Sequence, residues 1–154
     1  MKGCFGLTIR RIHRFLALSW RDRWDLARAW SFLLVADLGL RILPFRKVQR
    51  LVSAGKPERA TKPVSSVCIQ RLTQLVAVAA RHHLYEMSCL RRALVLQHLL
   101  DNRGITAELR FGVSKESADI LEAHAWLEYQ GQAIGDSQSP SGRYAPLTPQ
   151  EAHQ

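Results

Sequence analysis

Three side chains in this sequence have the types and spacing for acyl-transfer chemistry: Cys89, His124 and Asp136. A thiol can attack a carbonyl, an imidazole can take and return its proton, and a carboxylate can hold the imidazole in place. Cys89 follows Ser88 and opens the run Cys89 to Leu100, which is strongly helical in composition. If Ser88 caps that helix, Cys89 sits in its first turn. Unpaired backbone N–H groups and the positive end of the helix dipole favour a thiolate there. Arg91 and Arg92 can add positive charge. The same position also suits a small, inert packing residue, and the cysteine alone does not separate the two readings.

His124 lies in the middle of Leu121 to Tyr129, where apolar and polar residues alternate as in a half-buried strand. It falls on the opposite face from Leu121, Ala123 and Leu127. It reads either as an outward polar residue or as an imidazole facing Cys89 across a groove. Asp136 follows twelve residues later, beyond the turn at Gln130-Gly131. Antiparallel pairing makes a sharp demand here. A two-residue turn sets Asp136 opposite Ala125, on the wrong side. A three-residue loop, Tyr129-Gln130-Gly131, sets Glu128 against Gln132 and His124 against Asp136. Glycine at the loop end favours the three-residue form, so that register is the expectation. Otherwise Asp136 simply begins the next turn.

The elements that must position these groups follow from periodicity. Leu18 to Leu43 reads as a helix capped by Ser19 or Asp22 and ended by Pro44. A short helix over Phe45 to Val52 follows, then a linker through Gly55-Lys56-Pro57 and Lys62-Pro63. Ser65 to His82 has a helical apolar stripe, and the Cys89 helix stops at Asn102 and Gly104. From Ile105 to Val113 the period becomes two, predicting a strand. Leu121 to Tyr129 and Gln132 to Asp136 predict a hairpin, and the tail from Ser137 reads as irregular. Helices followed by an antiparallel sheet make an α+β fold. Two regions are expected: a basic helical region over 1–64 and a catalytic-type domain over 65–154. Trp20, Trp24 and Trp30 read as core anchors of the first region, or as a docking face among the arginines.

The charge is uneven. Residues 1–64 hold 14 Lys and Arg against 4 Asp and Glu, and residues 65–154 hold 8 against 9, which together make the +9 of the chain. The basic region can serve nucleic acid, an anionic membrane surface, an acidic protein, or solubility alone. The second region has no basic-aromatic stripe on its strands, which argues against nucleic acid. Hydrophobic residues make up 47 % of the 154, enough for a packed core. No uncharged run approaches the roughly 20 residues of a membrane span. Three scattered cysteines, an odd number, fit free thiols in the cytoplasm rather than a disulfide framework. His82 and His83 have no second ligand pair at metal spacing, and no glycine-rich phosphate loop is present. No metal or cofactor is expected.

The segments CLRRALVLQHLL, GITAELRFGV and EAHAWLEYQGQAIGD together resemble the transglutaminase-like cysteine peptidases of lasso-peptide biosynthesis, relatives of the microcin J maturation protease. The likeness covers roughly residues 65 to 147. The stretch LSWRDRWDLARAWSFLLVADLGLRILPFRKVQRLV resembles the helical segment that precedes the catalytic part in that family. The resemblance implies a transglutaminase-like, papain-like core with Cys89 as nucleophile, His124 as base and Asp136 as orienter. It implies removal of the leader from a ribosomally made precursor peptide. Some members carry a fused leader-recognition domain with strands. Residues 1–64 read as helices, so this chain resembles the standalone form. That form works with a separate small leader-binding protein and hands the freed core to an ATP-dependent cyclase. Two other readings stay open: transglutaminase or acyltransferase chemistry on the same triad, and a non-enzymatic basic binding module.

Overall fold

The computed structural model describes residues 18–53, 65–117, 120–135 and 145–146. Helix α1 spans Trp20–Ile42. Ser19 caps it reciprocally: its Oγ accepts the Asp22 N–H at 3.1 Å and donates to the Asp22 carboxylate at 2.8 Å. One orphan donor of the first turn is thereby satisfied. Pro44 breaks the chain direction. Its carbonyl accepts the Lys47 N–H at 2.9 Å and so starts α2, Phe45–Ser53. Helix α3, Ser66–Arg81, begins where Ser65 Oγ accepts the Val67 N–H at 3.3 Å. Helix α4, Cys89–Asp101, ends at Gly104, whose φ is +75°. There the Ile105 N–H reaches the Leu100 carbonyl at 3.0 Å and the Gly104 N–H reaches Asp101 at 2.9 Å. This crossed pair of bonds needs a left-handed residue, which glycine supplies without strain.

Four antiparallel strands follow: β1 (Glu108–Ser117), β2 (Ile120–Tyr129), β3 (Gln132–Ile134) and β4 (Ala145–Pro146), in spatial order β3-β2-β1-β4. The α+β layout agrees with the sequence expectation. The predicted strand over Ile105 to Val113 starts later than expected. Ile105 and Ala107 are buried, but the ladder opens only at Glu108 opposite Glu128. Gln97 closes the gap by donating to the Ala107 carbonyl at 3.1 Å from inside α4. The tail, expected to be irregular, contributes β4, which pairs Gly112 with Pro146 and Val113 with Ala145. Proline is tolerated there because the strand lies at the sheet edge.

The hairpin corrects the expected register. Tyr129 pairs with Gln132 and Leu127 with Ile134, so Gln130-Gly131 is a two-residue turn. Both turn residues have positive φ, +51° at Gln130 and +76° at Gly131. That is the twist-matched form for tight hairpins, and it outweighs glycine's preference for ending a three-residue loop.

One core serves both sides of residue 64. Leu33 of α1, Leu72 of α3, Leu99 and Leu100 of α4 and Leu127 of β2 belong to a single buried cluster. Three ion pairs stitch α1 to the rest: Asp22 with Arg71 at 2.8 Å, Asp25 with Arg103, and Asp37 with Arg91 at 2.8 Å. Burial of α1 rests on Ala29, Leu33 and Ala36 rather than on its tryptophans. Trp20 and Trp24, expected as core anchors, are exposed, and only Trp30 turns inward, its ring 4.9 Å from that of His83. Small alanines at the contact let α1 approach closely, and an indole there would hold the helices apart.

Candidate active site

Cys89 is the first residue of α4. Ser88 occupies the cap position in extended conformation, and its carbonyl accepts the Arg92 N–H at 3.2 Å. Its hydroxyl makes no capping hydrogen bond. The positive end of the helix therefore faces the partly buried thiol without a side-chain oxygen from Ser88 in between.

His124 stands on β2 opposite Gly112 of β1. The position directly across from the imidazole therefore carries no side chain. On its own strand the ring stacks near-parallel to Trp126, with centroids 6.1 Å apart and planes 17° off. Such an i, i+2 pair shares one face of the sheet.

The two residues line the same cleft. Thr73 and Ala77 of α3, Cys89 and Arg92 of α4, His124 of β2 and Gly135 after β3 are among its walls. Its free volume is about 20 Å³, space for a single small group. A wider cleft of about 420 Å³ adjoins it along α3 and β3 and shares Thr73, Ile134 and Gly135. Gln70, Gln74, Gln130 and Gln132 border that second space. The two spaces are neighbours with a common wall, the small one at the thiol and the broad one along the sheet edge.

The arginines divide. Arg92 lines the cleft with Cys89. Arg91, expected beside it as added positive charge, is instead bound to buried Asp37 at 2.8 Å. Arg41 completes that site with Nε 3.1 Å from the other Asp37 oxygen. The carboxylate between them offsets the charge that Arg91 would bring to the thiol.

Asp136 lies outside the described residues. The register that was to set it opposite His124 is not the one observed. The ladder stops at Ile134, and Gly135 has φ +86°. A left-handed residue breaks strand alternation, so the hairpin register no longer assigns a face to the next position. A Cβ on Gly135 would fall 2.7 Å from Leu96 Cδ2 of α4. The chain thus needs glycine at this point twice over, for conformation and for close approach to the cysteine helix. Sequence reasoning missed Gly135, Thr73 and the wider cleft. Only the glycine carried a signal, as a break in alternation one residue before the expected carboxylate.

Among the described residues, no group of three or more His, Cys, Asp or Glu side chains is placed to hold a metal ion. No described helix is long and apolar enough to cross a membrane.

A cysteine at a helix start and a strand histidine lining one cleft of an α+β domain define a candidate for thiol-based acyl transfer. A family model for the transglutaminase-like superfamily matches residues 31–149, and the chain belongs to that superfamily. Its chemistry is of the cysteine peptidase and acyltransferase type. The match begins within α1 and runs on through the four strands, so residues 31–64 and the sheet fall inside one family unit. Comparison with curated proteins and with solved structures returned no match.

Proposed function

We propose that this chain is a cysteine peptidase that removes the leader from a ribosomally synthesised lasso-peptide precursor. The observation that carries the reading is the shared cleft of Cys89 and His124 in a chain of the transglutaminase-like superfamily. The finer identity rests on the sequence resemblance over residues 65 to 147.

The reaction runs in two halves. The Cys89 thiol gives its proton to the imidazole of His124 as sulfur attacks the scissile carbonyl carbon. The oxyanion is stabilised by backbone N–H donors at the helix start, the Cys89 N–H among them. The C–N bond breaks, the imidazolium gives its proton to the departing amine, and a thioester remains. His124 then takes a proton from water, the hydroxide attacks the thioester, and the thiol is regenerated with release of the carboxylate. Asp136 is the proposed orienter of the ring. The wider cleft beside β3 would take the extended peptide on one side of the cut. In this reading a separate leader-binding protein delivers the precursor, the freed core passes to an ATP-dependent cyclase, and the thiol works in the reducing cytoplasm.

The superfamily also favours a second reading, in which an amine rather than water takes the acyl group. Both are tested by incubating the chain with the precursor encoded beside it, with and without the leader-binding protein and with an added primary amine. Mass spectrometry should show one cut, absent in Cys89→Ala. Amine incorporation in place of hydrolysis would favour the acyltransferase. Cleavage by Cys89→Ala equal to wild type would end both. Iodoacetamide labelling tests the thiol without a substrate. Cys89 and Cys68 are comparably half-buried, so faster labelling of Cys89, slowed in His124→Ala, reports a reactive environment rather than access. Equal rates would point to the binding-module reading.

A further inference from the structure

Helix α1 carries apolar residues on both sides, and among the described residues none packs over its outer side. Taking Trp20 as zero and about 100° per residue, Trp24, Leu34, Val35, Leu38 and Ile42 all fall within about 60° of it. These six side chains are 38–76 % exposed. Ala27 and Ser31, also exposed, fill the gap in the same line. The result is a straight apolar ridge along a helix of 23 residues, about 35 Å long. Tyr85, 57 % exposed, sits beside its far end, where Arg41 lies over the Tyr85 ring at 5.8 Å. A largely apolar surface of this extent, interrupted only by the small Ser31, marks a site of contact.

The charges on the same helix say what covers it. Arg21 and Arg28 lie along one edge of the ridge, about 80–100° from its origin, and Arg23 and Arg41 lie along the other, about 60° away. Every carboxylate of α1 falls on the inward half and is held by an arginine. Asp22 is bound by Arg71, Asp25 by Arg103, and Asp37 by Arg41 and Arg91. The outward half is therefore apolar along its middle and cationic along both margins. Exposed tryptophans occupy one end, with Arg23 5.8 Å over the Trp20 ring. The surface is a convex ridge rather than a groove.

We infer that the outer face of α1 docks this protein on an anionic phospholipid surface, lying in the plane of the headgroups. Apolar side chains enter the acyl boundary, and arginines at the margins reach the phosphates while their stems stay on the apolar side. Indoles prefer the same depth. The helix is not apolar enough to cross a membrane. This inference is independent of the chemistry at the cleft.

The test is co-sedimentation of the full chain with phosphatidylcholine vesicles, with and without phosphatidylglycerol. Tryptophan quenching by brominated lipid gives a second readout. Wild type should partition onto the anionic vesicles only, less as salt is raised, with its tryptophans quenched. Val35→Glu/Leu38→Glu should weaken partitioning at least about tenfold with far-UV circular dichroism unchanged. Arg21→Glu/Arg28→Glu should do the same from the charge side. No binding by wild type to anionic vesicles would overturn the inference. So would equal binding by the Val35→Glu/Leu38→Glu variant, since basic segments alone would then carry it. A wild-type dimer made monomeric by that variant would overturn it too, by assigning the ridge to a second copy.

Discussion

At the residue scale, neighbouring arginines on one helix do different work. Arg91 and Arg92 are adjacent in sequence, yet Arg91 belongs to the α1 contact and Arg92 to the cleft. The Asp37 side chain is 6 % exposed and Arg91 is its better-buried partner, whereas Arg41 is largely in solvent. Arg91→Ala should therefore cost about 2–3 kcal/mol in denaturant unfolding, more than Arg41→Ala, because a buried carboxylate loses its inner partner. Arg92→Ala should leave stability nearly unchanged and alter iodoacetamide labelling of Cys89. Asp22 gives a pH prediction. Hydrogen bonds from Arg71 and then Ser19 hold its carboxyl down to about 2 from the ordinary 3.8. A depressed carboxyl contributes stability above its unfolded value and loses it as pH falls toward the folded one. The contribution should be full above pH of about 4 and fade between about 4 and 2. With Arg71 47 % exposed, solvent screening keeps it to about 1 kcal/mol. Asp22→Asn should be destabilised by that much at pH 7 and match wild type near pH 2.

At the element scale, the hairpin between β2 and β3 sets the geometry beside the cleft. Its turn is of the two-residue kind, with Gln130 at φ +51°. Asparagine accepts that conformation more readily than glutamine, and Asn-Gly is the preferred pair. Gln130→Asn should raise stability by about 0.5 kcal/mol with no change at the thiol. Gly135→Ala should do the reverse. The left-handed backbone alone costs about 1–2 kcal/mol for alanine, and the new Cβ must displace Leu96, which is buried in α4. A lower melting temperature with changed Cys89 labelling would show that the glycine positions the cysteine helix. A lower melting temperature with unchanged labelling would confine its role to the turn. The expected three-residue loop failed because glycine fits both loop types. Positive φ at Gln130, which no residue preference demands, decided between them.

At the scale of the whole molecule, α1 is a load shared between core and surface. Its inner face completes the cluster around Leu33, Leu72 and Leu99, so the charge contrast at residue 64 does not mark a break in the core. Its outer face stays apolar, and its arginines fall between the two. Removing the inner packing with Leu33→Ala should destabilise the molecule by about 2–5 kcal/mol. Both the helices and the sheet should then unfold in one transition, measured by circular dichroism against tryptophan fluorescence. Two separate transitions would contradict a common core.

What the sequence by itself determined was local. Helix spans, the cap at Ser19, the Gly104 stop and the alternation around His124 follow from propensity and periodicity. Those are short-range effects of backbone sterics and side-chain spacing. It also placed Cys89 at a helix start, which fixes the dipole at the thiol. Tertiary structure alone decided which arginine reaches the cleft, that Trp20 and Trp24 face outward, that the hairpin pairs in even register, and that Cys89 and His124 line one cavity. Each depends on residues far apart in the chain competing for the same space or the same charge. Asp37 takes Arg91, small alanines take the core seat that the tryptophans were expected to fill, and Leu96 crowds the space beside Gly135. Packing and pairing of that kind have no signature within any one window of sequence.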